Sequence, residues 1–446
     1  MAEELTQEEL LSIAAEACAA ARRAGAEWAD AAVTRSREIA VELEKSAVAS
    51  AETISSTELS VRAVTDGARG MFLLEGVTRE NAVAAGKAAG ELSRQGTPDP
   101  DFVALPGPDP VETVGGLYDP TLARLTVDEM AGIAVSNVRA AREVAPEVIL
   151  AGSVEAHRAE SAFVNSLGVT RVGLATRISA QMSVVIRRGD DVGSFYDFDV
   201  GRRLEDVALA SLSAEAARWA LRFLGARRVA SKRMALVLGP LASFGFLRSL
   251  AASSNAESIQ RQRSFLVGRL GQPIASPHLT LVDDGLIPAG LSSRGYDGEG
   301  APRRRVTLVR QGVFAAMLHN SYTAHKAQEP NTGHGSQGGG IAPTNIQVEL
   351  GSRTAEQIIA DTEEGIYINA GGLGANPVSG DVSASVDFGF KIERGELAYP
   401  VTNTMVAGNV LEFLRHIDAV SRDCRREPGN HLPTLRIQDV EVAGSG

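Results

Sequence analysis

The chain has 446 residues, more than one hydrophobic core usually organises, so two or more domains are expected. Hydrophobic residues make up 44% and charged residues 22%, a balance typical of a folded protein and not of a disordered one. The 55 acidic and 44 basic side chains give a formal charge of -11, which excludes a general duplex-DNA binder, because such proteins need a broad cationic face.

Two further features indicate the environment of the protein. No apolar stretch approaches the roughly 20 residues that a membrane-spanning helix requires, and the chain begins with an acidic segment where a leader peptide would be basic and then apolar. Only two cysteines are present, which excludes a disulfide framework. We therefore expect a cytoplasmic protein of mixed α and β structure that binds neither membranes nor nucleic acids.

The N-terminal part of the chain has the order helix, strands, helix. Thr6 and Glu9 have the spacing of a capping box, in which each side chain accepts a hydrogen bond from a free backbone N–H at the helix start. Apolar residues that alternate with polar ones then predict strands over residues 31–75, with a hairpin turn at the Asp-Gly pair 66–67. A second helix is predicted over residues 78–92.

The same order recurs further along the chain. Thr126 and Glu129 repeat the capping-box spacing at the start of a predicted helix. Strands are predicted over residues 147–200, and another helix is predicted over residues 204–224. We interpret this recurrence as an internal duplication.

The second half of the chain is rich in glycine and in short strand patterns. A strand over 234–238 and a helix over 240–262 precede a hairpin over 306–318 and a polar, glycine-rich segment over 319–340. The remaining predicted strands lie at residues 345–350, 365–369, 382–393, 396–401 and 435–442. This half is therefore expected to be mainly antiparallel sheet with a few helices.

Together these patterns predict an α+β protein with two domains. The N-terminal α/β domain would span residues 1–228 and contain the duplicated units 1–95 and 120–228, joined by a proline-rich linker at 96–119. The C-terminal, mainly antiparallel β domain would span residues 229–446.

No catalytic motif is complete in the sequence. None of the seven histidines forms the H-E-x-x-H pattern of zinc proteases, and no Gly-x-Ser-x-Gly motif marks a hydrolase serine. The glycine-rich segment 333–340 lacks the Gly-Lys-Ser/Thr that a phosphate-binding loop places before a helix. The acidic pairs at 283–284 and at Asp297 and Glu299 are interpreted as solvated turn residues, because acidic side chains are usually exposed.

Three histidines, His319, His325 and His334, lie in one polar segment of the chain. Two interpretations of them stay open: they are polar loop residues, or they form a metal site built from the loop. Measurement of zinc in the purified chain distinguishes the two.

Short segments of the second half carry a recognisable pattern, and they are Ser292–Gly300, Gln311–Val313, Leu318–Ala324, Asn331–Gly333, Thr402–Asn409 and Leu435–Gly444. Together they resemble the TldD/PmbA family, in particular its PmbA (TldE) branch. The resemblance covers nearly the whole chain, although in the first half only the order of the elements agrees.

The resemblance implies one of the two subunits of a cytoplasmic zinc metallopeptidase that degrades or trims unfolded peptides. The TldD-type subunit of that family binds zinc through an H-E-x-x-x-H motif on the helix after the first strand of the C-terminal domain. In this sequence the corresponding positions hold Arg248, Ser249 and Ser253, and none of these side chains can bind zinc or act as the base for its water. Cys424 lies near the region of a third, thiolate ligand, and without the two histidines it is interpreted as incidental. We therefore expect no cofactor in this chain and zinc in a TldD-like partner.

The resulting hypothesis is a non-catalytic PmbA-like subunit whose partners are a TldD-like catalytic subunit and an unfolded or precursor peptide. Such a peptide can add to a sheet edge as an extra strand, because backbone hydrogen bonds bind it with little sequence preference. The polar segment 319–340 and the strand 345–350 would line a shared chamber. The residues expected to line it, with a positioning role only, are His319, Asn320, Tyr322, Asn331, Thr332 and Asn345.

Two alternatives to this hypothesis remain. The first is a stand-alone homodimeric protein-binding or regulatory protein, in keeping with the older naming of the family as modulators of DNA gyrase. The second is an enzyme in its own right, with zinc held by His319, His325 and His334. A TldD-like gene beside this one favours the two-subunit peptidase, whereas stoichiometric zinc in the isolated chain favours the second alternative. The physiological peptide and the oligomeric state of the isolated chain stay open.

Overall fold

The N-terminal half of the chain forms one six-stranded antiparallel sheet in a computed structural model that describes residues 6–444. The elements of this half are α1 (Gln7–Arg23), β1 (Trp28–Glu44), β2 (Ala47–Thr65), β3 (Ala68–Glu75), α2 (Arg79–Ser93), α3 (Val127–Val144), β4 (Ile149–Asn165), β5 (Thr170–Arg188), β6 (Asp191–Gly201) and α4 (Leu209–Arg222). The acidic residues 1–5, which entered the expectation that no leader peptide is present, lie outside the described range. None of the described helices is long and apolar enough to cross a membrane.

The predicted duplication is present in the topology of this sheet. Its strand order is β3-β2-β1-β4-β5-β6, so each unit contributes three consecutive strands, and the units join where β1 pairs with β4. Thr6 and Thr126 both form the predicted capping boxes, at the starts of α1 and α3. The predicted Asp66-Gly67 turn connects β2 to β3, and both residues have a positive φ. These local signals therefore specify the duplicated half well.

The four helices of this half lie on one face of the sheet, because apolar side chains alternate with polar ones along its strands. In β1, Ala31 and Val33 pack among residues of α1 and α2. Further along the same strand, Ile39 and Val41 point to the same side and pack among residues of α3 and α4. The opposite face of the sheet carries polar residues and is turned towards the second half of the chain.

The second half folds into two sheets with short helices. Its elements are β7 (Lys232–Leu238), α5 (Pro240–Ser253), α6 (Ala256–Gln260), β8 (Leu281–Asp284), β9 (Arg305–Arg310), β10 (Val313–Phe314), α7 (Ser321–Ala327), β11 (Ile346–Val348), α8 (Ala355–Ala360), β12 (Glu364–Ala370), β13 (Asp381–Ser385), β14 (Phe388–Glu393), β15 (Glu396–Pro400), β16 (Thr404–Asn409), α9 (Val410–Arg415), β17 (Ile417–Glu427) and β18 (Asn430–Gly444). The larger sheet has the order β13-β16-β18-β7-β12-β14-β15 with β17 paired to β18, and the smaller one has the order β10-β9-β8-β11. Among the described strand pairs only β7 with β12 is parallel, so the predicted α+β class with a mainly antiparallel second half is confirmed.

Two predicted elements of the second half are each divided in the structure. The helix predicted over 240–262 is two helices, because the Asn255 side chain accepts hydrogen bonds from the backbone N–H groups of Glu257 and Ser258 and so begins α6. The strand predicted over 382–393 is β13 and β14, which pair with different neighbours. A side-chain cap and a change of partner strand therefore override the apolar pattern.

Other differences concern where helices begin. The helix predicted from residue 204 begins at Leu209, because residues 204–206 form a separate 3₁₀ turn. The polar segment 319–340 contains α7, which the sequence analysis did not predict and which Asn320 caps. The elements β8, β16, α8, α9 and β17 were likewise not predicted, and β8 lies where the sequence analysis placed turn residues 283–284.

The two halves of the chain share part of their core. The ring of Phe223, just after α4, lies 4.8 Å from that of Phe390 and 5.6 Å from that of Phe388, measured between centroids. Aromatic rings at these separations attract each other beyond the effect of their burial. The division predicted at residue 228 falls between α4 and β7, and it stays a prediction.

Candidate functional site

A cleft of about 370 Å³ lies between the polar face of the N-terminal sheet and helix α5. This volume is in the range of small-ligand pockets. Its lining residues on the sheet side include Glu155, Arg177, Ser179, Gln181, Phe198 and Asp199, and those from the second half include Phe244, Arg248, Leu291, Ser292, Glu427 and Asn430. The cleft therefore combines charges of both signs with two aromatic side chains.

The sheet supplies a polar floor because side chains alternate along β5. Ile178 and Ala180 point towards the helices and are buried among residues of α3 and α4. Arg177, Ser179 and Gln181 point to the opposite side, where they line the cleft. The same alternation that builds the core of the N-terminal half thus provides the polar floor of the cleft.

Helix α5 supplies the opposite wall. Phe244 and Arg248 are four residues apart, so they lie on the same face of the helix, and both line the cleft. Arg248 Nη1 donates a hydrogen bond of 3.3 Å to the backbone oxygen of Thr344, which directs the guanidinium along the wall. Of the three residues placed by sequence in the zinc motif, Ser253 is instead buried and donates to the backbone oxygen of Ser249.

The side chains that α5 carries in place of the zinc motif do not fit a zinc ion. A guanidinium has no lone pair to offer a metal, and its charge repels a cation. Within residues 6–444, no group of three His, Cys, Asp or Glu side chains is arranged to hold a metal ion. The wall of α5 is thus suited to contact anionic or carbonyl oxygens.

Glu427, at the end of β17, is the most unusual side chain of the cleft. It is 7% exposed, and its Oε1 has no hydrogen-bond partner among the described residues. Burial raises the pKa of the Glu427 carboxyl, while Arg425 and a hydrogen bond with Asn430 act in the opposite direction. Sequence reasoning missed this residue, because nothing in its local pattern distinguishes it from a solvated glutamate.

Four of the six residues predicted to line a chamber form a hydrogen-bonded framework beside α7. The backbone N–H of His319 donates to Thr332 Oγ1 at 2.7 Å, and that hydroxyl donates back to the His319 carbonyl at 3.0 Å. Asn320 caps α7 through a 2.9 Å bond from the backbone N–H of Thr323, and Asn331 accepts a bond from the N–H of Gly333. Burial lowers the pKa of His319. These four residues lie together, but outside the lining of the cleft.

The other two predicted residues have different surroundings, although Tyr322 lies on α7 and lines a small hollow with Asn320. Tyr322 is half-buried and lines a surface hollow of about 440 Å³ together with charged side chains such as Glu257 and Lys326. Asn345 is fully buried, where its Oδ1 accepts from the N–H of Ser292 at 3.0 Å and its Nδ2 donates to the Asp284 carbonyl at 2.6 Å. A lining role for the six residues stays a prediction.

The structure brings His319 and His334 together, joined by a backbone hydrogen bond and through Thr332, but the three histidines form no metal-binding group within the described residues. His325 is exposed, whereas His334 is buried with both ring nitrogens in hydrogen bonds, to Asp283 at 2.8 Å and to Thr332 at 3.0 Å. The order Thr332, His334, Asp283 resembles a catalytic triad. However, the Asp283 and His334 side chains are 0% exposed, so substrate does not reach them and the trio ties the loop to β8.

The acidic pairs interpreted as solvated turn residues are partly buried, which corrects that interpretation. Asp283, Asp297 and Glu299 are 0%, 1% and 2% exposed. Glu299 accepts a hydrogen bond of 3.0 Å from Arg62, and Asp297 accepts bonds from the backbone N–H groups of its own turn and of Gly335. Partners distant in sequence therefore allow these carboxylates to be buried.

Comparisons with known proteins agree with this architecture. Residues 231–444 match the PmbA/TldA metallopeptidase C-terminal domain, and residues 120–224 match the PmbA/TldA metallopeptidase central domain. Metalloprotease PmbA of Escherichia coli O157:H7 is 26% identical over 369 residues, which cover 80% of this chain and 79% of that protein. A metalloprotease of Methanothermobacter thermautotrophicus is 28% identical over 310 residues, covering 64% of this chain and 67% of that protein.

Two solved structures are similar over almost the whole chain. TldE from Thermococcus kodakarensis superposes with a TM-score of 0.89 at 24% identity, covering 97% of this chain and 100% of that one. A Bacteroides thetaiotaomicron protein named as a candidate modulator of DNA gyrase superposes with a TM-score of 0.88 at 24% identity, covering 99% of this chain and 100% of that one. At these identities the likeness establishes the fold.

Proposed function

Because the chain belongs to the PmbA/TldD metallopeptidase family, we propose that it is a non-catalytic subunit that holds unfolded peptides beside a TldD-like zinc peptidase. The observation that carries this proposal is Arg248. Its guanidinium lies on the cleft-facing side of α5, where a metallopeptidase of this family would need ligands for its metal. Zinc and its activated water would accordingly be supplied by the partner.

The cleft is the proposed place for the peptide. Its floor offers hydroxyl, amide and charged groups such as Ser179, Gln181 and Arg177, which can hydrogen-bond to a peptide backbone of any sequence. Phe198 and Phe244 offer apolar contacts for side chains. The framework beside α7, which includes His319 and Asn320, would act indirectly by fixing the loops of the second half.

The proposed location is the cytoplasm. Neither Cys18 nor Cys424 forms a disulfide in the described structure, as expected in a reducing compartment. The remaining parts, the TldD-like partner and a substrate that is an unfolded or precursor peptide, are proposed by analogy with the family.

Co-purification with a TldD-like chain tests the proposal. We expect cleavage of an unfolded peptide by the two chains together, none by this chain alone, and zinc only in the partner. Arg248→Ala should weaken cleavage by the complex without changing its zinc content, whereas the matched control Arg233→Ala, on an exposed part of β7, should have no effect. Unaided cleavage by this chain, with stoichiometric zinc, would overturn the proposal.

A stand-alone regulatory protein is the second candidate, favoured by the fold likeness to the Bacteroides protein. If this second candidate is right, the chain remains a homodimer when a TldD-like chain is present. It then also leaves peptide cleavage by the TldD-like chain unchanged. Size-exclusion chromatography with light scattering, run on each chain and on the mixture, separates the two candidates.

A further inference from the structure

The strand β2 has a long stretch without a neighbouring strand on one side. It pairs with β1 along almost its whole length, but β3 pairs only with its residues 58–65. Residues 47–55 are all exposed, and on the side away from β1 the backbone groups of residues 47–56 have no hydrogen-bond partner among the described residues. A bulge at Ala49 interrupts the ladder, so the regular part of this unpaired edge is residues 50–56.

The equivalent edge of the second duplicated unit is covered by the chain itself. Like β2, β5 has 19 residues, and β6 pairs only with its residues 178–188. The linker runs along the rest, where the backbone N–H of Thr176 donates to the Leu117 carbonyl at 2.9 Å and Arg171 donates to the Asp109 carbonyl at 2.7 Å. No described segment takes the corresponding place beside β2, which leaves it open to a strand from another chain.

The side chains of this edge do not protect it from pairing. Exposed edges are usually blunted by lysine, by proline or by a bulge, because they otherwise pair with other chains. Residues 50–56 contain neither lysine nor proline, and their only charged side chain is Glu52. The bulge at Ala49 lies at the end of this stretch and leaves it regular. The edge is therefore suited to accept an added strand.

The polar face of the sheet beside this edge is acidic. Glu38, Glu42 and Glu52 point away from the helices, and none of the three forms an ion pair among the described residues. From residue 38 to residue 56 the only basic side chain is Lys45, in the turn between β1 and β2. An added strand with basic side chains on this face is favoured, because opposite charges attract each other across neighbouring strands.

The edge also continues the floor of the cleft. Glu155, which lines the cleft, lies across from Ala40 on β1, and Ala40 lies across from Glu52 on β2. Two strand spacings amount to about 10 Å, so a peptide that leaves the cleft reaches the edge within a few residues.

We propose that residues 50–56 of β2 bind a basic segment of an unfolded peptide as an additional strand. This inference rests on the proposed peptide-holding function and adds the charge and the extended conformation that are recognised. A second copy of the chain fits less well in this place, because its own residues 46–56 bring Glu52 and no cation.

Two fluorescent heptapeptides test the inference on the full-length chain. In one, lysine and valine alternate along one face and threonine occupies the other face, and in the second, glutamate replaces lysine. We expect the lysine peptide to bind at least about tenfold more tightly at low ionic strength, with a smaller preference in high salt. Fluorescence anisotropy measures both affinities.

Glu52→Lys should reverse this preference while the chain stays folded, because the side chain is exposed and has no ionic partner. The matched control is Glu58→Lys, at an exposed position on the same face of β2 but beside β3, and it should keep the preference. Equal affinity of the two peptides for the unaltered chain, or an unchanged preference in Glu52→Lys, would overturn the edge site.

Methylation of alternate backbone nitrogens of the lysine peptide separates strand addition from simple charge attraction. Only every second residue of an added strand bonds to the edge, so methylation of one alternate set should abolish binding and methylation of the other should not. Equal effects of the two sets would contradict strand addition.

The remaining outcomes concern other occupants and the function itself. Loss of lysine-peptide binding in the complex with a TldD-like chain, or dissociation of a homodimer by the peptide, would assign the edge to a subunit contact and overturn the proposal. Cleavage of a neutral peptide by the complex should be unchanged in Glu52→Lys. Failure of the edge site therefore leaves that cleavage intact, whereas failure of the peptide-holding function removes it.

Discussion

Arg62 on β2 donates a hydrogen bond of 3.0 Å to Glu299, so one guanidinium joins the N-terminal sheet to a loop of the second half. Its Nη2 also lies 2.5 Å from Asp30 Oδ2, directly across the β1–β2 ladder. Asp30, Arg62 and Glu299 are 0%, 2% and 2% exposed. The negative charges of two buried carboxylates are thus balanced by one buried guanidinium.

Replacement of Arg62 by methionine should destabilise the protein by about 3–5 kcal/mol, because it leaves two buried carboxylates without the cation that balances their charge. Urea unfolding followed by circular dichroism measures this change. The matched control is Arg79→Met, since Arg79 and Glu16 form an ion pair whose side chains are 56% and 37% exposed. That pair should contribute less than about 1 kcal/mol. Equal effects of the two substitutions would show that the Arg62 cluster is not a special link.

Asp297 should make the stability depend on pH. Burial, reinforced by the charge of Glu299, raises the pKa of Asp297 from its ordinary 3.8 to about 6. Because the folded state holds this proton more tightly than the unfolded chain, the free energy of unfolding should fall as the pH rises from about 4 through about 6.

Asp297→Asn should flatten this part of the profile, measured as urea midpoints at pH values from about 4 to about 7. It should also lower stability by about 1–3 kcal/mol at every pH, because the amide cannot accept all the backbone bonds that the carboxyl accepts, including that from Gly335. Asp381→Asn, at an exposed carboxyl, is the control for general charge effects. A profile that keeps its slope in Asp297→Asn would assign the titration to another group.

The duplicated half was predictable because its signals are local. The capping boxes at Thr6 and Thr126 need only four consecutive residues, and long strands repeat their alternation often enough to be recognised. In the second half the elements are short, so a single side chain decides where they begin. The capping box that starts α7 is formed by Asn320 and Thr323, a weaker signal inside a polar, glycine-rich segment.

The cleft itself was not predictable from sequence patterns. Ser179, Arg248 and Glu427 come from β5, α5 and β17, and only tertiary folding brings them together. The burial of Glu299 likewise depends on Arg62, which lies 237 positions earlier in the chain. The family resemblance did identify Arg248 on α5 as a position where the zinc motif is replaced. That inference compares motifs along the sequence and needs no three-dimensional contact.

Asn345→Ala separates a framework role from a chamber-lining role. The Asn345 side chain is fully buried, and the substitution removes its hydrogen bonds with the backbone N–H of Ser292, the carbonyl of Asp284 and the hydroxyl of Ser293, so stability should fall by about 2–4 kcal/mol. Asn331→Ala removes one bond, to the N–H of Gly333, at a half-buried position and should cost about 1 kcal/mol. Thermal unfolding of both variants, beside their peptide affinities, is the measurement. Weaker peptide binding without any loss of stability in Asn345→Ala would support the lining role instead.

Ser179→Trp tests whether the cleft is the place where peptide binds. The serine side chain points into the cleft from the floor, so an indole there should fill much of its volume of about 370 Å³. We expect peptide affinity, measured by fluorescence anisotropy, to fall at least about tenfold with the melting temperature nearly unchanged, because the new ring occupies space that is empty in the fold. The control is Ser183→Trp, on the same face of the same strand but outside the cleft lining, and it should bind peptide normally. Similar losses in both variants would mean that the tryptophan disturbs the sheet, and normal binding by Ser179→Trp would place the peptide elsewhere on the protein.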